Sequence, residues 1–367
     1  MFVLVLILIF IFALYLGVHI CLNIALVHTL NSWSLCGKIS VSVVFWILAL
    51  SFFIMQWILR KNISPQIGHY MYWISTSWIV FILYTAIIYG LVLLLNACGI
   101  HIPHGIFISM GLAILVMCWG FVQFSQPKIQ HKNIVISKNF TEKQQIKTVF
   151  ISDVHLGYGI TRNRLHKFVE TINHLQPDIV LIGGDLIDMN IYPVEADKMY
   201  EELNGLTTKY GIFMVLGNHD YLSGKEKTLD FINKTNITLL QDSIATLPNG
   251  MQIIGRDDKT NISRQSVEYL TQTLNPQQAS ICIDHQPDNE TIDSIVSQNI
   301  DLALFGHTHN GQFFPINLIT ALRYKHSYGY DKINNTHIYT SSGLGLWGPP
   351  FRIGSQSEIV VLDIALQ

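Results

Sequence analysis

Thr148-Val-Phe-Ile-Ser-Asp-Val-His155 decides how the second half of this chain folds. A run of β-branched and aromatic residues gives way within a few positions to serine, aspartate and histidine. That order predicts a buried strand that ends at a working edge, because sites in α/β sheets form just beyond the carboxyl ends of strands. The same design recurs downstream. Ile179-Val-Leu-Ile182 runs into Gly183-Gly184-Asp185, with Asp188 three residues on. Residues 212–216 run into Gly217-Asn218-His219-Asp220, 280–283 into Asp284-His285, and 301–305 into Gly306-His307-Thr308-His309. Amphipathic or helical patterns at 162–175, 196–206, 226–234 and 266–274 fall between the strands. Further strands are expected near 237–240, 252–254, 337–341 and 358–364. The alternation implies a layered α/β fold.

Spacing suggests how these strand ends cooperate. In extended chain, residues i and i+2 face the same way, so Asp153 can converge with His155, and His307 with His309. Glycines before Asp185, Asn218 and His307 permit tight turns that bring side chains close to a shared ion. A mixed imidazole and oxygen set suits Mn, Fe or Zn better than Mg or Ca. Two ions roughly 3.5–4 Å apart, bridged by a carboxylate, can clamp a phosphate and generate hydroxide at neutral pH. A single Asp-x-His or Gly-Asn is ordinary turn chemistry. Five such ends in one domain are hard to explain that way.

The ordered set resembles the calcineurin-like metallophosphoesterase superfamily, whose pattern is D-x-H, G-D-x-x-D, G-N-H-D/E, H and G-H-x-H. Every element is present, from about residue 147 to the C-terminus. The resemblance implies a layered β-sheet sandwich flanked by helices and a metal-dependent phosphoric ester hydrolase with two divalent ions, manganese favoured. It implies that Asp153, His155 and His309 bind one ion, that Asn218, His285 and His307 bind the other, and that Asp185 bridges them, with a bridging hydroxide as nucleophile. His219 would protonate the leaving oxygen or stabilise the phosphoryl charge, Asp220 would orient His219, and Asp188 would be a structural support. The segments Asp284-His285-Gln286-Pro287, 306–312, Tyr328-Gly329-Tyr330 and Ser342-Gly343-Leu344-Gly345 are similar to bacterial phosphodiesterases related to membrane-associated UDP-diacylglucosamine pyrophosphatases, although Asn310 stands where many relatives carry Gly.

The N-terminal part is chemically different. Of the 367 residues, 50% are hydrophobic and only 13% are charged. No Asp or Glu precedes Glu142, and the basic residues before it are Lys38, Arg60, Lys61, Lys128, Lys132 and Lys138. Apolar stretches at 2–25, 41–59, 73–95 and 106–124 each have the roughly 20 residues needed to span a hydrocarbon core about 30 Å thick. The expected organisation is a transmembrane region of four helices over 1–125, a polar linker over 126–146 and the metallophosphoesterase domain over 147–367. This arrangement also resembles the architecture called transmembrane protein with metallophosphoesterase domain. Arg60, Lys61 and the lysines after the fourth span would lie on one side, which predicts a multi-pass cell-membrane protein with a cytoplasmic catalytic domain.

Composition narrows the partners. The acidic balance after residue 142 argues against a nucleic-acid binder. Five cysteines without a C-x-x-C pair argue against a disulfide framework or a zinc knuckle. The expected partners are membrane lipids, with a lipid-linked phosphate as substrate. A soluble substrate, and a transporter or sensor with a regulatory phosphoesterase domain, are the alternatives. His19 and Asn23 in the first span are the polar groups a transport pathway would use. Phe313, Phe314, Pro315, Ile316, Leu318 and Ile319, together with 344–351 around Trp347, read as exposed apolar loops that could face a bilayer. Oligomeric state and the identity of the substrate are not legible.

Overall fold

The computed structural model describes residues 2–138 and 144–367. Two compact units emerge: residues 1–61 with 70–120, and residues 62–69 with 121–367.

The first unit is built on α1 (Phe2–Thr29), α2 (Leu35–Ile58), α3 (Pro65–Ala97) and α4 (Gly105–Ser125). Each is long and apolar enough to cross a membrane. Large apolar side chains such as Phe10, Trp57, Leu94 and Leu115 point outward, an arrangement stable only in a hydrocarbon solvent. Leu22, Leu26, Phe45, Ile82 and Ile106 pack inside. His19 is buried within this unit with both ring nitrogens engaged. Nδ1 meets the Tyr15 carbonyl at 2.8 Å, and Trp78 Nε1 lies 3.2 Å from Nε2. Ser42 Oγ donates to Asn23 Oδ1. These contacts tie α1 to α2 and to α3.

The second unit carries, among the described residues, β1 (Lys128–Ile136), β2 (Gln144–Ile151), β3 (Ile179–Ile182), β4 (Ile212–Met214), β5 (Ile237–Leu239), β6 (Ser243–Thr246), β7 (Gln252–Gly255), β8 (Ser280–Ile283), β9 (Leu302–Phe305), β10 (Gly329–Ile333), β11 (Thr336–Thr340) and β12 (Glu358–Leu366). They form two six-stranded mixed sheets, ordered β1-β12-β2-β3-β4-β5 and β10-β11-β9-β8-β7-β6. β2, β3, β4 and β5 run parallel, as do β7, β8, β9 and β11. One core joins the sheets face to face, with Phe150, Leu181 and Val215 from the first packing with Ile253, Ile283 and Leu304 from the second. Helices cover the outer faces. Arg162–His174 buries Leu165, Phe168, Val169 and Ile172, at the spacing that gives one apolar stripe.

Several expectations are corrected. Part of the segment read as a linker, 126–146, is strand: β1 pairs in parallel with β12 from Lys128 opposite Glu358 to Ile136 opposite Leu366. Its first residues are polar and only Ile134 and Ile136 are buried, so its partner at the far end of the chain, not its own pattern, makes it a strand. Residues 139–143 of that segment lie outside the described residues. The single helix expected at 196–206 is two short pieces, Tyr192–Ala196 and Tyr200–Leu203. The apolar segment after His309, read as loop, contains the helix Ile316–Arg323.

Candidate metal centre

The parallel strands of both sheets deliver their carboxyl ends to one edge, and hydrogen bonds zip the exit turns together. Asp153 N donates to the Gly184 carbonyl and His155 N to the Asp185 carbonyl, both at 3.0 Å, which ties the turn after β2 to the turn after β3. His219 N donates to Asp185 Oδ1 at 2.7 Å, and His307 N donates to the Asp153 carboxylate at 3.0 Å. Gly217 is required by close approach, since a Cβ there would sit 2.2 Å from Asp185 Oδ1.

The mode of convergence differs from the expected pleat. Asp153, His155, Asp185, His307 and His309 have φ of 54°, 52°, 52°, 70° and 49°. They lie past the strand ends in left-handed turns, a conformation that Asp and His tolerate better than most residues and that concentrates at functional sites. As a result His307 and His309 do not converge with each other but face two different groups.

In one group, the donor atoms of Asp153, His155 and His309 lie within 4.8 Å of one another. His155 Nε2 and His309 Nε2 are 3.0 Å apart, and His309 Nε2 is 3.4 Å from Asp153 Oδ1. In the other group, Asp185, His285 and His307 cluster in the same way. His285 Nε2 is 3.2 Å from Asp185 Oδ2 and 3.2 Å from Asn218 Oδ1, which His307 Nδ1 meets at 2.9 Å. Asp185 also clusters with His155 and His219. All seven residues expected to bind metal are thus in one place.

These donors suit cations. The other ring nitrogen of His285, Nδ1, is 2.8 Å from the Gly183 carbonyl. A hydrogen bond there puts a proton on Nδ1 and points Nε2 inward, the usual orientation behind a ligating imidazole. Burial lowers His307 to about 4, with His285 adding to it. Burial, His155 and Arg352 push His309 well below the ordinary imidazole value. Both are therefore held neutral, the form that binds a metal. Burial alone would raise the Asp185 carboxyl, but His285, His155 and His219 outweigh it and keep it below the usual carboxylate range. His285 behaves differently: burial would lower it, but Asp185 and Asp153 raise it well above the ordinary imidazole value, and a divalent ion would take the place of the proton on its Nε2. Buried carboxylates and imidazoles converging in this way fit divalent ions.

The residue that orients His219 is not Asp220. The Asp220 carboxylate accepts from the backbone amides of Gly217, at 2.9 Å, and Ile187, at 3.0 Å. It is a buried fastener of two turns, raised to about 7 by burial and by Asp185. His219 Nδ1 instead meets Asp188 Oδ1 at 3.0 Å, and His155 Nδ1 lies 3.6 Å from the same oxygen. Asp188 is the support the sequence suggested, with two imidazoles as its charges. Arg352 was not foreseen. It is fully buried and donates to the carbonyls of His309, Ser342, Gly343 and Gly345. Those bonds hold the turn of His309 to the glycine loop whose Gly345 N donates to the Asp153 carbonyl. A lone arginine in a loop carries no sequence signal for this role.

A cavity of about 310 Å³ opens on the two groups, with Asp185, Asn218, His219 and His307 on its floor. Phe313, Ile316 and Trp347 line its outer part. Of the two apolar segments expected at the rim, only part is exposed. Leu344, Leu346 and Phe351 are core, whereas Trp347 is 54% exposed.

Residues 146–311 match the calcineurin-like phosphoesterase family. An uncharacterised metallophosphoesterase of Helicobacter pylori strain J99 is 35% identical over 265 residues, which is 70% of each chain. This chain belongs to the calcineurin-like phosphoesterase family. An uncharacterised metallophosphoesterase of Campylobacter jejuni is 36% identical over 228 residues, 60% of this chain and 60% of the relative. A zebrafish protein described as a transmembrane protein with metallophosphoesterase domain is 28% identical over 277 residues, 70% of this chain and 63% of the relative. The calcineurin-like domain is thus a metal-dependent phosphoester hydrolase, with candidate ligands for a dinuclear divalent site. The four apolar helices and the transmembrane relative mark a membrane protein.

Proposed function

We propose that this chain hydrolyses a phosphoester or pyrophosphate bond of a lipid-linked substrate by a two-metal mechanism. The observation that carries the reading is the pairing of two buried donor groups with an apolar outer wall in one cavity. Asp153, His155 and His309 would hold one ion, and Asn218, His285 and His307 the other, with Asp185 between them. The N/O donor mix favours manganese, with iron or zinc as alternatives. Such a pair supplies Lewis acidity and a nucleophile at neutral pH. His219 stands at the cavity floor, held by Asp188, where it can give a proton to the leaving oxygen. Phe313, Ile316 and Trp347 would take the apolar part of the substrate, and membrane lipids are the partners this implies. The catalytic domain is read as cytoplasmic, on the strength of Arg60, Lys61 and the lysines after α4.

The test is a panel on the purified full-length chain at saturating Mn²⁺: a lipid-linked phosphoester in vesicles, a soluble phosphodiester, a phosphomonoester and nucleotides. The lipid-linked ester should have the highest kcat/KM, and Asp185→Asn should lose both metal stoichiometry and turnover. Preference for a soluble nucleotide would overturn the lipid reading, and full activity with two metals in Asp185→Asn would overturn the site.

A further inference from the structure

We propose that residues 62–69, the stretch that joins α2 to α3, are a positioning element of the catalytic site: through Tyr158 they fix the turn that holds Asp188 behind His219. The inference rests on His219 as the proton donor and extends its support to residues far away in sequence. Residues 62–69 group with the catalytic unit rather than with the helices they connect. α3 starts at Pro65 and has 33 residues, which makes it about 50 Å long, about 20 Å more than a hydrocarbon core needs. Its apolar run begins only at Trp73, so Gly68 and His69 stand before it.

Tyr158 lies three residues past His155 and is buried. Its hydroxyl donates to the Ile63 carbonyl at 3.1 Å, and His69 Nδ1 donates to its carbonyl at 2.7 Å. Gly68 lies against the ring, since a Cβ there would sit 2.2 Å from Tyr158 Cε1. Burial alone explains the ring. The bond from His69 constrains the backbone of the turn as well. From Tyr158 the path to the site is short. Gly157 N donates to the Ile160 carbonyl at 3.1 Å and closes the turn. Leu156 N donates to the Leu186 carbonyl at 2.8 Å, and Asp188 N donates to the Leu156 carbonyl at 3.0 Å. Gly157 backs onto Asp188, whose Cβ would be 3.5 Å from a Cβ at 157. Asp188 Oδ1 in turn meets His219 Nδ1 at 3.0 Å. A contiguous run of backbone bonds carries a displacement of this turn to the acid, and a small misplacement of a reacting group costs disproportionately in rate.

The experiment uses the full-length Mn²⁺-loaded chain with His69→Ala, with His69→Asn, whose side-chain amide can donate in place of Nδ1, and with Gly68→Ala, whose methyl displaces the Tyr158 ring. The first readout is kcat and KM on two phosphodiesters. An alkoxide leaving group needs a proton, whereas p-nitrophenolate leaves without one. His69→Ala should lose about 5-fold in kcat on the dialkyl ester, the value of one hydrogen bond, with KM unchanged and the p-nitrophenyl ester spared. Gly68→Ala should show the same selective loss, and His69→Asn should recover the dialkyl rate. The second readout is amide hydrogen exchange, which reports local opening. In His69→Ala it should quicken at 156–160 and 186–188 and stay unchanged at 280–283. Equal losses on both esters, exchange quickened throughout the domain, or a His69→Ala chain identical to the wild type in both readouts would overturn the inference. If the wild-type chain cleaves neither ester, the hydrolase reading falls instead, and exchange at 186–188 still decides whether 62–69 supports Asp188.

Discussion

His219 reaches the cavity floor with Asp188 at its back and Asp185 beside it, a position suited to proton transfer. Burial opposes its charged form, yet the hydrogen bond and charge of Asp188 together with Asp185 raise it above the ordinary imidazole value. His219→Ala is expected to retain both metals, measured by elemental analysis, and to lose about 10²–10⁴-fold in turnover, the usual contribution of a positioned acid. Loss of metal in that variant would show that His219 is a ligand. Asp188→Asn should lower turnover in the same direction while Asp220→Asn acts on folding stability, because Asp220 faces only backbone amides. Equal loss of turnover, without loss of stability, in both would restore Asp220 to the role first expected of it. At this scale the ligands were legible, since Gly-Asp and Gly-His steps at strand ends print the turn and the donor together. The division of labour between Asp188 and Asp220 was not. It depends on which turn, some thirty residues away in sequence, each carboxylate meets across the edge.

Among elements, the helix Ile316–Arg323 is the clearest departure from expectation. Phe314-Pro315 and the apolar run after it read as loop, but the chain resumes helical geometry immediately after Pro315. None of its residues is buried in the domain, and Ile319 and Leu322 are 61% and 89% exposed. Apolar side chains on a helix that forms one wall of the cavity are what an interfacial segment presents to a bilayer. Ile319→Ser with Leu322→Ser should weaken hydrolysis of the vesicle-borne ester several-fold and leave the soluble phosphodiester within about two-fold, since exposed substitutions change stability by only about 0.5 kcal/mol. A matching loss on both substrates, or a large drop in Tm, would assign these side chains to packing. β1 makes the complementary point. Its polar start carries no strand signal, and only pairing with β12 settles its state.

For the whole molecule, the basic residues at 60–61 and after α4 motivate the proposal of a cytoplasmic catalytic domain. A reporter active only outside the cytoplasm, fused after Gln367, should be silent in cells, and strong signal would reverse the orientation. The sequence by itself determined the two physical classes joined in this chain, because apolar runs without acidic residues and strands ending in Asp, Asn or His are local patterns readable at a fixed period. It also determined the seven candidate ligands, whose types and order are constrained by the chemistry of a mixed N/O site. Their division into two groups was implied by the family resemblance, and the tertiary structure shows the geometry that produces it. Left-handed turns aim His307 and His309 at different groups while Asp153 and His155 share one, and the pleat rule anticipates only the second. Tertiary structure likewise decided that Arg352 binds the ligand turn to the glycine loop, and that Trp347 lines the cavity while Leu344 and Leu346 join the core. These facts depend on which surfaces meet when two sheets close on each other, and long-range contact leaves no mark on the neighbouring residues of the chain.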